Sequence, residues 1–232
     1  MDKQMEKLLV IVAKQPVPGR VKTRLFPKLS PEAAADLYRC FLQDRIKEVS
    51  SLNGVDRAIA YTPEDAKETF ASLALDGFEL FAQRGKHLGE RLNNIFLEKL
   101  SQGYEAVSIV DSDSPDLPKS LINESFELLL TGQADIVLGP CYDGGYYLVG
   151  IRKPHPELFR NIPWSTENVL SVTLEKARKM GLNVKLLSIW NDLDTFEDLV
   201  EFYNMYKDRL LLKDWVGSKT LTYLSGLENI CQ

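Results

Sequence analysis

The chain has 232 residues, of which 44% are hydrophobic, and it carries a net charge of −5 at pH 7. This length allows one sizeable α/β core, and the composition excludes disordered and fibrous proteins. The negative balance argues against a nucleic-acid partner, because a protein that binds nucleic acid must neutralise many phosphates.

The cysteines and the N-terminus indicate a cytoplasmic protein. Cys40, Cys141 and Cys231 are odd in number and form no C-x-x-C pair, which favours reduced thiols over a disulfide framework or structural zinc. Residues 1–7 are too polar for a secretory signal. The longest early apolar run, 8–13, is far shorter than the roughly 20 residues that a membrane helix needs. We therefore expect a cytoplasmic location and no membrane partner.

The elements predicted along the chain alternate between strands and helices. The first is a continuous apolar run, which is typical of a strand buried on both faces. Ser30 and Pro31 are suited to be the N-cap and the first residue of the helix that follows. In chain order the pattern predicts strand 8–12, helix 31–49, strand 55–61, a helix opening at 62–65, strand 78–82, helix 89–100, strand 107–110, helix 121–130, strands 135–138 and 146–151, helix 166–180, strand 184–189 and helix 195–206. This alternation is the signature of βαβ units and a mainly parallel sheet.

One connection is too short for a parallel crossover. Only residues 139–145 separate the strands predicted at 135–138 and 146–151, whereas such a crossover needs about a dozen residues or more. These two strands are therefore not expected to be parallel neighbours. We predict an α/β fold, a Rossmann-like three-layer sandwich with a mostly parallel mixed sheet. A single domain is expected over 1–232, with helical turns packed outside it at about 210–232.

A basic loop follows the first predicted strand and precedes the first helix. In open α/β sheets, ligands bind past the carboxyl end of a strand, which is where this loop lies. It is neither a Walker A loop nor a G-x-G-x-x-G loop, but its glycine and its alternating cations suit a diphosphate; a solvated basic turn is the alternative. The candidate phosphate-binding residues are Lys14, Pro18, Gly19, Arg20, Lys22 and Arg24, and Gln83, Gly89 and Arg91 after the third strand are candidates for the nucleotide pocket.

Two acidic pairs also follow predicted strands. Asp111 and Asp113 come after the fourth strand, and Asp192 and Asp194 after the seventh. Residues two apart on an extended backbone project to the same side, so each pair is able to face one cation. Such oxygen ligands suit Mg²⁺ or Mn²⁺ that bridges to substrate phosphates. Turn and cap chemistry is the alternative, since Asp194 or Thr195 is also placed to cap the next helix.

Two further segments are candidates for the acceptor side of a site. The turn that begins at Asp143 has the composition of a hairpin turn. Its glycines would also let a substrate lie against the backbone, and Asp143 is suited to hold a sugar hydroxyl or to act as a base. The hydroxyls before the helix at 166–180 are interpreted first as caps and second as acceptor ligands. The candidate acceptor residues are Gly144, Gly145, Trp164, Ser165 and Thr166.

Taken as an ordered set, these motifs resemble the rSAM/selenodomain-associated transferase 1 family of the nucleotide-diphospho-sugar transferase superfamily. The matching segments run from Lys14 to Leu199 and are K-Q-P-V-P-G-R-V-K-T-R-L, Q-R-G-K-H-L-G-E-R-L, D-S-D-S-P-D-L-P, V-L-G-P-C-Y-D-G-G-Y-Y-L-V-G, P-W-S-T and D-L-D-T-F-E-D-L. The resemblance implies a glycosyltransferase-A fold, a divalent metal and a role like that of family members, which are named as glycosyltransferases of arsenosugar-type pathways. It aligns Asp113 with the metal aspartate of the superfamily and Asp194 with its later acidic partner. The K-T-R-L stretch is also similar to phospholactate guanylyltransferases, which are nucleotidyltransferases of the same fold.

We predict a glycosyl transfer from a nucleotide-diphospho-sugar to a small-molecule acceptor. A Mg²⁺ or Mn²⁺ ion held by Asp113 and Asp194, with Asp111 as a further ligand, would bridge the diphosphate. Lys22 and its neighbouring arginines would neutralise the same group from the opposite side, and Asp143 would act as a base or bind the acceptor. The alternatives are nucleotidyl transfer from an NTP with release of pyrophosphate and a non-catalytic nucleotide-binding module, because a fold does not fix a reaction.

Overall fold

The computed structural model describes residues 6–212 and 215–227. Its strands are β1 (Lys7–Lys14), β2 (Asp56–Thr62), β3 (Phe78–Ala82), β4 (Ala106–Val110), β5 (Ile136–Pro140), β6 (Tyr146–Ile151) and β7 (Val184–Leu186). Its helices are α1 (Pro31–Ser50), α2 (Lys67–Leu73), α3 (Leu88–Ser101), α4 (Lys119–Leu130), α5 (Val169–Lys179), α6 (Phe196–Tyr206) and α7 (Ser218–Ser225). The expectations for the first five residues, for 213–214 and for 228–232, including the thiol of Cys231, lie outside the described residues.

The seven strands form one mixed sheet in the order β3-β2-β1-β4-β6-β5-β7. β1 lies between β2 and β4 and is parallel to both, and β2 is parallel to β3. β6 runs antiparallel to β4 and to β5, so the short connection between β5 and β6 is a hairpin, as its length required. The carboxyl ends of β1 to β5 and the amino end of β6 therefore meet at one edge of the sheet.

Hydrophobic side chains cover both faces of the sheet. Leu9 and Ile11 of β1 pack on one face, while Leu8 and Val10 pack on the other, because side chains alternate along a strand. The first face is covered by α1, α2, α4, α6 and α7, and the second by α3, α5 and a 3-10 turn at Pro156–Phe159. The predicted α/β class and three-layer arrangement are confirmed.

Two predicted helix caps are present. The Ser30 hydroxyl accepts a hydrogen bond from the Ala33 amide at 3.1 Å and begins α1. Thr195 and Asp198 form a capping box at α6, in which the Asp198 carboxylate accepts from the Thr195 amide at 2.7 Å. Because Asp198 and Thr195 supply this cap, the side chain of Asp194 is left to point elsewhere.

The last strand is shorter than predicted. The prediction of 184–189 is wrong at its end, since β7 stops at Leu186. Beyond it the chain makes an isolated bridge between Trp190 and Cys141, and the Trp190 amide donates to the Pro140 carbonyl at 3.0 Å. Pro140 has no N–H to donate, which interrupts the ladder at this point.

The fifth helix begins later than predicted. The prediction of 166–180 is wrong at its start, because α5 begins at Val169. Ser165 has a left-handed φ of 65°, and the Thr166 hydroxyl donates to the Pro163 carbonyl at 2.7 Å. These residues therefore form a turn before the helix rather than its first turn.

The described part of the C-terminal segment packs on α1, in agreement with the helical turns predicted there. The buried Asp44 carboxylate of α1 accepts hydrogen bonds from the Thr220 amide at 2.8 Å and from the Lys219 amide at 3.0 Å. These bonds satisfy amides at the start of α7 that have no partner within the helix. Within 6–212 and 215–227, no helix has both the length and the apolar character needed to cross a bilayer.

Candidate nucleotide and metal site

A cavity of about 680 Å³ opens where β1, β2, β3 and β4 end. It is lined by the basic loop between β1 and α1, by the loop after β4, and by the β5–β6 turn with the segment before α5. Candidates that are distant in the sequence therefore meet in one place. Those that line the cavity are Lys14, Arg20, Lys22, Arg24, Gln83, Arg91, Asp111, Asp113, Asp143, Gly145, Trp164, Ser165, Thr166 and Asp194.

Four candidates do not line this cavity. Pro18 and Gly19 are exposed in the basic loop, and nothing lies within 4 Å of a Cβ built at Gly19. Gly89 is buried against the ring of Trp164, where a side chain would not fit. Gly144 lies against the backbone of the segment before α5. The last two glycines therefore allow close packing behind the cavity, which differs from the ligand contacts predicted for them.

Lys22 joins the basic loop to both acidic strand ends. Its Nζ lies 2.7 Å from Asp113 Oδ1 and 2.9 Å from Asp194 Oδ1, and it donates to the Leu193 carbonyl at 2.9 Å. The side chain is only 3% exposed, and the backbone adopts a left-handed φ of 48°, which is uncommon outside glycine. Burial lowers the pKa of Lys22, but the two carboxylates raise it well above its ordinary value. Lys22 is therefore held charged between the two strand ends.

Arg24 adds a second, more exposed cation to Asp194. Its Nη1 lies 3.0 Å from Asp194 Oδ2, and its side chain is 60% exposed. Burial acts to raise the pKa of Asp194, but Lys22 and Arg24 hold it below its usual value. The basic loop and the acidic pairs were expected on opposite sides of a phosphate group, whereas the structure puts them in direct contact. A buried ammonium group is strongly destabilising unless it is paired, and these carboxylates pair it.

The carboxylate of Asp111 has one oxygen with a hydrogen-bond partner and one without among the described residues. Its amide donates to the Tyr147 carbonyl at 2.9 Å, and its Oδ2 accepts from the Ser114 hydroxyl at 3.1 Å. Its Oδ1 is buried and has no hydrogen-bond partner among the described residues. Burial, and then the charge of Asp113, raises the pKa of Asp111 to about 7. A buried acceptor without a donor normally has a partner of another kind, such as a water or an ion.

Asp192 belongs to the same acidic group but was not among the predicted metal ligands. Burial, followed by the charges of Asp194 and Asp143, raises the pKa of Asp192 to about 6. One donor atom each from Asp192, Asp143 and Cys141 lies within 4.8 Å of the others. The signal for Asp192 was its spacing of two from Asp194. Cys141 is buried, as predicted, and burial raises the pKa of its thiol.

Tyr38 is a site residue that sequence reasoning missed. Its hydroxyl is 2.7 Å from the Ser112 hydroxyl and accepts from the Lys14 amide at 3.1 Å. It thereby joins the end of β1 to the residue between Asp111 and Asp113. No sequence pattern marked it as a site residue, because Tyr38 is part of the apolar stripe of α1.

The cavity has a second boundary, here called the acceptor wall, which consists of Asp143, Gly145, Tyr146, Trp164, Ser165, Thr166 and Glu167. The strand order puts it across β4 from the basic loop, because β1 and β6 flank β4. Asp143 Oδ1 accepts from the Gly145 amide at 2.8 Å, and the Gly144 carbonyl accepts from the Leu170 amide at 2.8 Å. The turn and the segment before α5 are thus one unit. Its charged side chains are Asp143 and Glu167, and it contains no lysine or arginine.

Polar side chains at the ends of β2 and β3 complete the cavity. Gln83 Nε2 donates to the Ala60 carbonyl at 2.7 Å, which fixes this side chain beside the sheet edge. Arg91 Nε donates to the Gly85 carbonyl at 3.1 Å and holds the loop after β3. His87 lines the cavity and caps α3, because its Nδ1 accepts from the Glu90 amide at 3.3 Å.

The chain matches one family model and several known proteins. The family model described as "Uncharacterized protein conserved in bacteria (DUF2064)" matches residues 45–166, which include Asp113 and Asp143. A protein of Desulfovibrio desulfuricans G20, provisionally named a nucleotide-diphospho-sugar transferase, has a solved structure that matches with a TM-score of 0.87 and 35% identity over 97% of both chains. The predicted superfamily is therefore supported by a match over nearly the whole chain.

Two nucleotidyltransferases are also similar to the chain. The 2-phospho-L-lactate guanylyltransferase of Haloarcula marismortui is 29% identical over 190 residues, which are 80% of this chain and 82% of that protein. A cytidylyltransferase of Leptospira borgpetersenii serovar Hardjo-bovis has a TM-score of 0.57 at 11% identity and covers 98% of this chain and 97% of its own. At that identity the second similarity concerns the fold alone.

Proposed function

The chain belongs to the DUF2064 family and has the fold of the nucleotide-diphospho-sugar transferases, and from this premise we propose that it is a metal-dependent transferase with a nucleotide-linked donor. The Desulfovibrio and Haloarcula proteins carry names that denote transferases of a nucleotide-diphospho-sugar and of a nucleotidyl group. Both names describe donors in which phosphates join a nucleoside to another group.

The cations of the cavity support binding of the donor phosphates. A diphosphate needs several positive groups around it, and arginine forks combined with a lysine ammonium suit its oxygens. Lys22 is the best placed, since its buried Nζ already contacts two acceptors and is able to exchange one of them for a phosphate oxygen. The cations that line the cavity are Lys14, Arg20, Lys22, Arg24 and Arg91.

The acidic groups of the site fit a divalent cation. Asp111, Asp113 and Asp194 are its proposed ligands, and binding would require Lys22 to release Asp113 or Asp194. Asp192 and Asp143, whose donor atoms converge with that of Cys141 within 4.8 Å, lie in the same acidic group. The buried, unpartnered Asp111 Oδ1 is the observation that favours this fit. Carboxylate oxygens are the ligands that Mg²⁺ and Mn²⁺ prefer. When bound, such an ion supplies stabilisation of the charge on the departing phosphates.

The composition of the acceptor wall bears on whether the reaction is glycosyl or nucleotidyl transfer. In nucleotidyl transfer the acceptor brings a phosphate, which requires cations on its side of the site. The acceptor wall offers the carboxylates of Asp143 and Glu167 and hydroxyls, and no cation. The two carboxylates favour a neutral hydroxyl compound over a phosphate at this wall. We therefore assign glycosyl transfer from a nucleotide-diphospho-sugar to a hydroxyl-bearing small molecule as the first candidate.

Asp143 is the proposed base for the acceptor hydroxyl. One of its oxygens is fixed by the Gly145 amide, and the side chain is exposed to the cavity. A carboxylate held in this way is able to accept the hydroxyl proton as the new bond forms. Ser165 and Thr166 lie on the same wall and are suited to orient the acceptor.

Nucleotidyl transfer is the second candidate, and one observation favours it. An NTP carries more negative charge than a nucleotide-diphospho-sugar, and the cavity has four cations besides Lys22, namely Lys14, Arg20, Arg24 and Arg91. The similarity to the guanylyltransferase over most of both chains points the same way.

Product analysis separates the two candidates. The protein is incubated with Mn²⁺ and either a panel of nucleotide sugars with hydroxyl acceptors or each NTP with sugar phosphates. Release of a nucleoside diphosphate in the first set, with no pyrophosphate in the second, is expected. Pyrophosphate release that requires a phosphorylated acceptor would overturn glycosyl transfer and establish the second candidate. Nucleotide binding without turnover in either set would leave a binding module.

A further inference from the structure

Arg45 is a buried cation beneath the acidic loop. It lies on α1 and is 0% exposed, and it is one of the largest fully buried side chains of the described chain. Its Nη1 donates to the Leu117 carbonyl at 3.0 Å, while its Nε and Nη2 have no partner in the described residues. A buried guanidinium is unfavourable unless it is compensated, and a buried ion is often replaced by an apolar group without loss of stability. Packing alone therefore does not explain Arg45.

A chain of hydrogen bonds connects Arg45 to Asp111. Arg45 donates to the Leu117 carbonyl, the Leu117 amide donates to the Ser114 carbonyl at 3.2 Å, and the Ser114 hydroxyl donates to Asp111 Oδ2 at 3.1 Å. Ser114 and Leu117 are both 0% exposed, so water does not compete freely for these groups. The guanidinium thus fixes the turn that orients the Asp111 carboxylate.

Arg45 and Asp111 each favour the charged form of the other side chain. Burial lowers the pKa of Arg45, and the charge of Asp111 is the largest influence that opposes it. Neither side chain is fully paired, because Asp111 Oδ1 and two donors of Arg45 are unsatisfied in the described residues. Asp111 lines the cavity and Arg45 does not, so Arg45 lies behind the acidic loop as seen from the cavity.

We propose that Arg45 is a positioning residue that holds the 111–117 turn and so presents the carboxylates of Asp111 and Asp113 to the divalent cation. This inference rests on the proposed function, because it concerns the same metal site. Residues that orient metal ligands from behind typically change metal affinity by about 10- to 100-fold when they are replaced.

The direction of the effect distinguishes positioning from simple charge. Removal of a nearby cation would, by electrostatics alone, strengthen the binding of a second cation. If Arg45 acts by holding the turn, its removal weakens binding instead. The two explanations therefore predict changes of opposite sign for the same substitution.

The test measures Mn²⁺ binding by electron paramagnetic resonance, without any substrate. We expect Arg45→Met to weaken Mn²⁺ binding by about tenfold or more, and Arg45→Lys, which keeps the charge and one donor, to recover part of the loss. The matched control is Lys99→Met, because Lys99 is also 0% exposed and charged but lies near Phe81 and Glu79, outside the cavity. It should lose stability while it keeps the wild-type affinity for Mn²⁺.

Each outcome decides between the explanations. Unchanged or tighter Mn²⁺ binding by Arg45→Met overturns the positioning role, and so does an equal loss in Lys99→Met. If Arg45→Met does not fold, Ser114→Ala replaces it, because this substitution removes the hydroxyl that links the turn to Asp111 Oδ2. Wild-type Mn²⁺ binding by a folded Ser114→Ala overturns the inference. If the wild-type protein binds no Mn²⁺, the proposed function fails as well, whereas a defect confined to Arg45 variants leaves it intact.

Discussion

The basic loop and the acceptor wall face one cavity, but different interactions hold them in place. The loop is fixed by ion pairs of the buried Lys22 ammonium with the partly exposed Asp113 and Asp194 at two strand ends. The acceptor wall is fixed by backbone hydrogen bonds that join the β5–β6 turn to the start of α5, such as that from the Leu170 amide to the Gly144 carbonyl. Under the proposed function, the charged donor meets a buried and paired ammonium group, while the acceptor meets exposed groups on a turn. Changes to the first region should therefore have larger effects.

The largest effect is expected for Lys22→Met. It removes the cation shared by Asp113 and Asp194 and a group placed to contact the donor phosphates, so kcat/KM should fall by about 10²- to 10³-fold. The measurement is steady-state turnover, with thermal unfolding as a check on folding. Lys28→Met is the control, because Lys28 is exposed and does not line the cavity. Wild-type turnover in Lys22→Met would show that the loop is not part of the site.

Asp143→Asn should have the next largest effect and should act on the acceptor wall alone. Loss of the proposed base lowers kcat by about 10²-fold or more, while the affinity for the donor, measured by calorimetry, stays the same. Asp76→Asn is the matched control, since Asp76 is an exposed carboxylate outside the cavity. A variant that loses donor affinity instead would place Asp143 with the basic loop and remove the distinction between the two regions.

Gly144→Ala should disturb the acceptor wall through its backbone. Gly144 has a φ of 87°, and an added Cβ would overlap the backbone of Glu167. We expect a loss of about 1–3 kcal/mol in the free energy of unfolding and a raised KM for the acceptor, with donor binding unchanged. Gly132→Ala has a similar φ of 73° but open space around the Cβ, so it reports the backbone strain alone. Equal effects of the two substitutions would contradict close packing at Gly144.

The sequence predicted more of the fold than of the site's contacts. Strands and helices follow local periodicity, and the Ser30 and Thr195 caps are local patterns as well, so these could be predicted. The start of α5 could not, because the left-handed Ser165 and the use of the Thr166 hydroxyl within the preceding turn are set by packing. Similarly, the contact beyond β7, in which the Trp190 amide donates to the Pro140 carbonyl, joins residues far apart in sequence.

Within the site, the location of the charged residues at strand ends was predictable from the sequence, but the ion pairs between them were not. The acids and the basic loop were found because ligands bind at the carboxyl ends of strands. The ion pair between Lys22 and Asp194 joins residues 172 apart in sequence, which no local pattern encodes. Tyr38 was not identified as a site residue because its position on α1 also fits a core residue. Gly89 was assigned to the ligand because a glycine needed for packing has the same sequence signal as one needed for close approach.

The smallest effect is expected for Arg24→Ala. Arg24 is 60% exposed, and exposed ion pairs contribute little and are screened by salt. Donor affinity should fall by a factor of about two to five at low salt, and the difference should shrink as salt is added. Arg160→Ala is the control, because Arg160 forms an exposed ion pair with Glu157 away from the cavity. A loss as large as that of Lys22→Met would mean that burial does not separate the two cations.

The central claim is that the acidic strand ends and the basic loop together bind a cation and a nucleotide's phosphates. Its most direct test is calorimetric titration of a nucleoside diphosphate into the wild-type protein and into Asp113→Asn, each with and without Mn²⁺. Mn²⁺ should tighten binding to the wild-type protein, and this gain should be absent in Asp113→Asn. Equal affinity of the wild-type protein with and without Mn²⁺, or a full gain in Asp113→Asn, would contradict the claim.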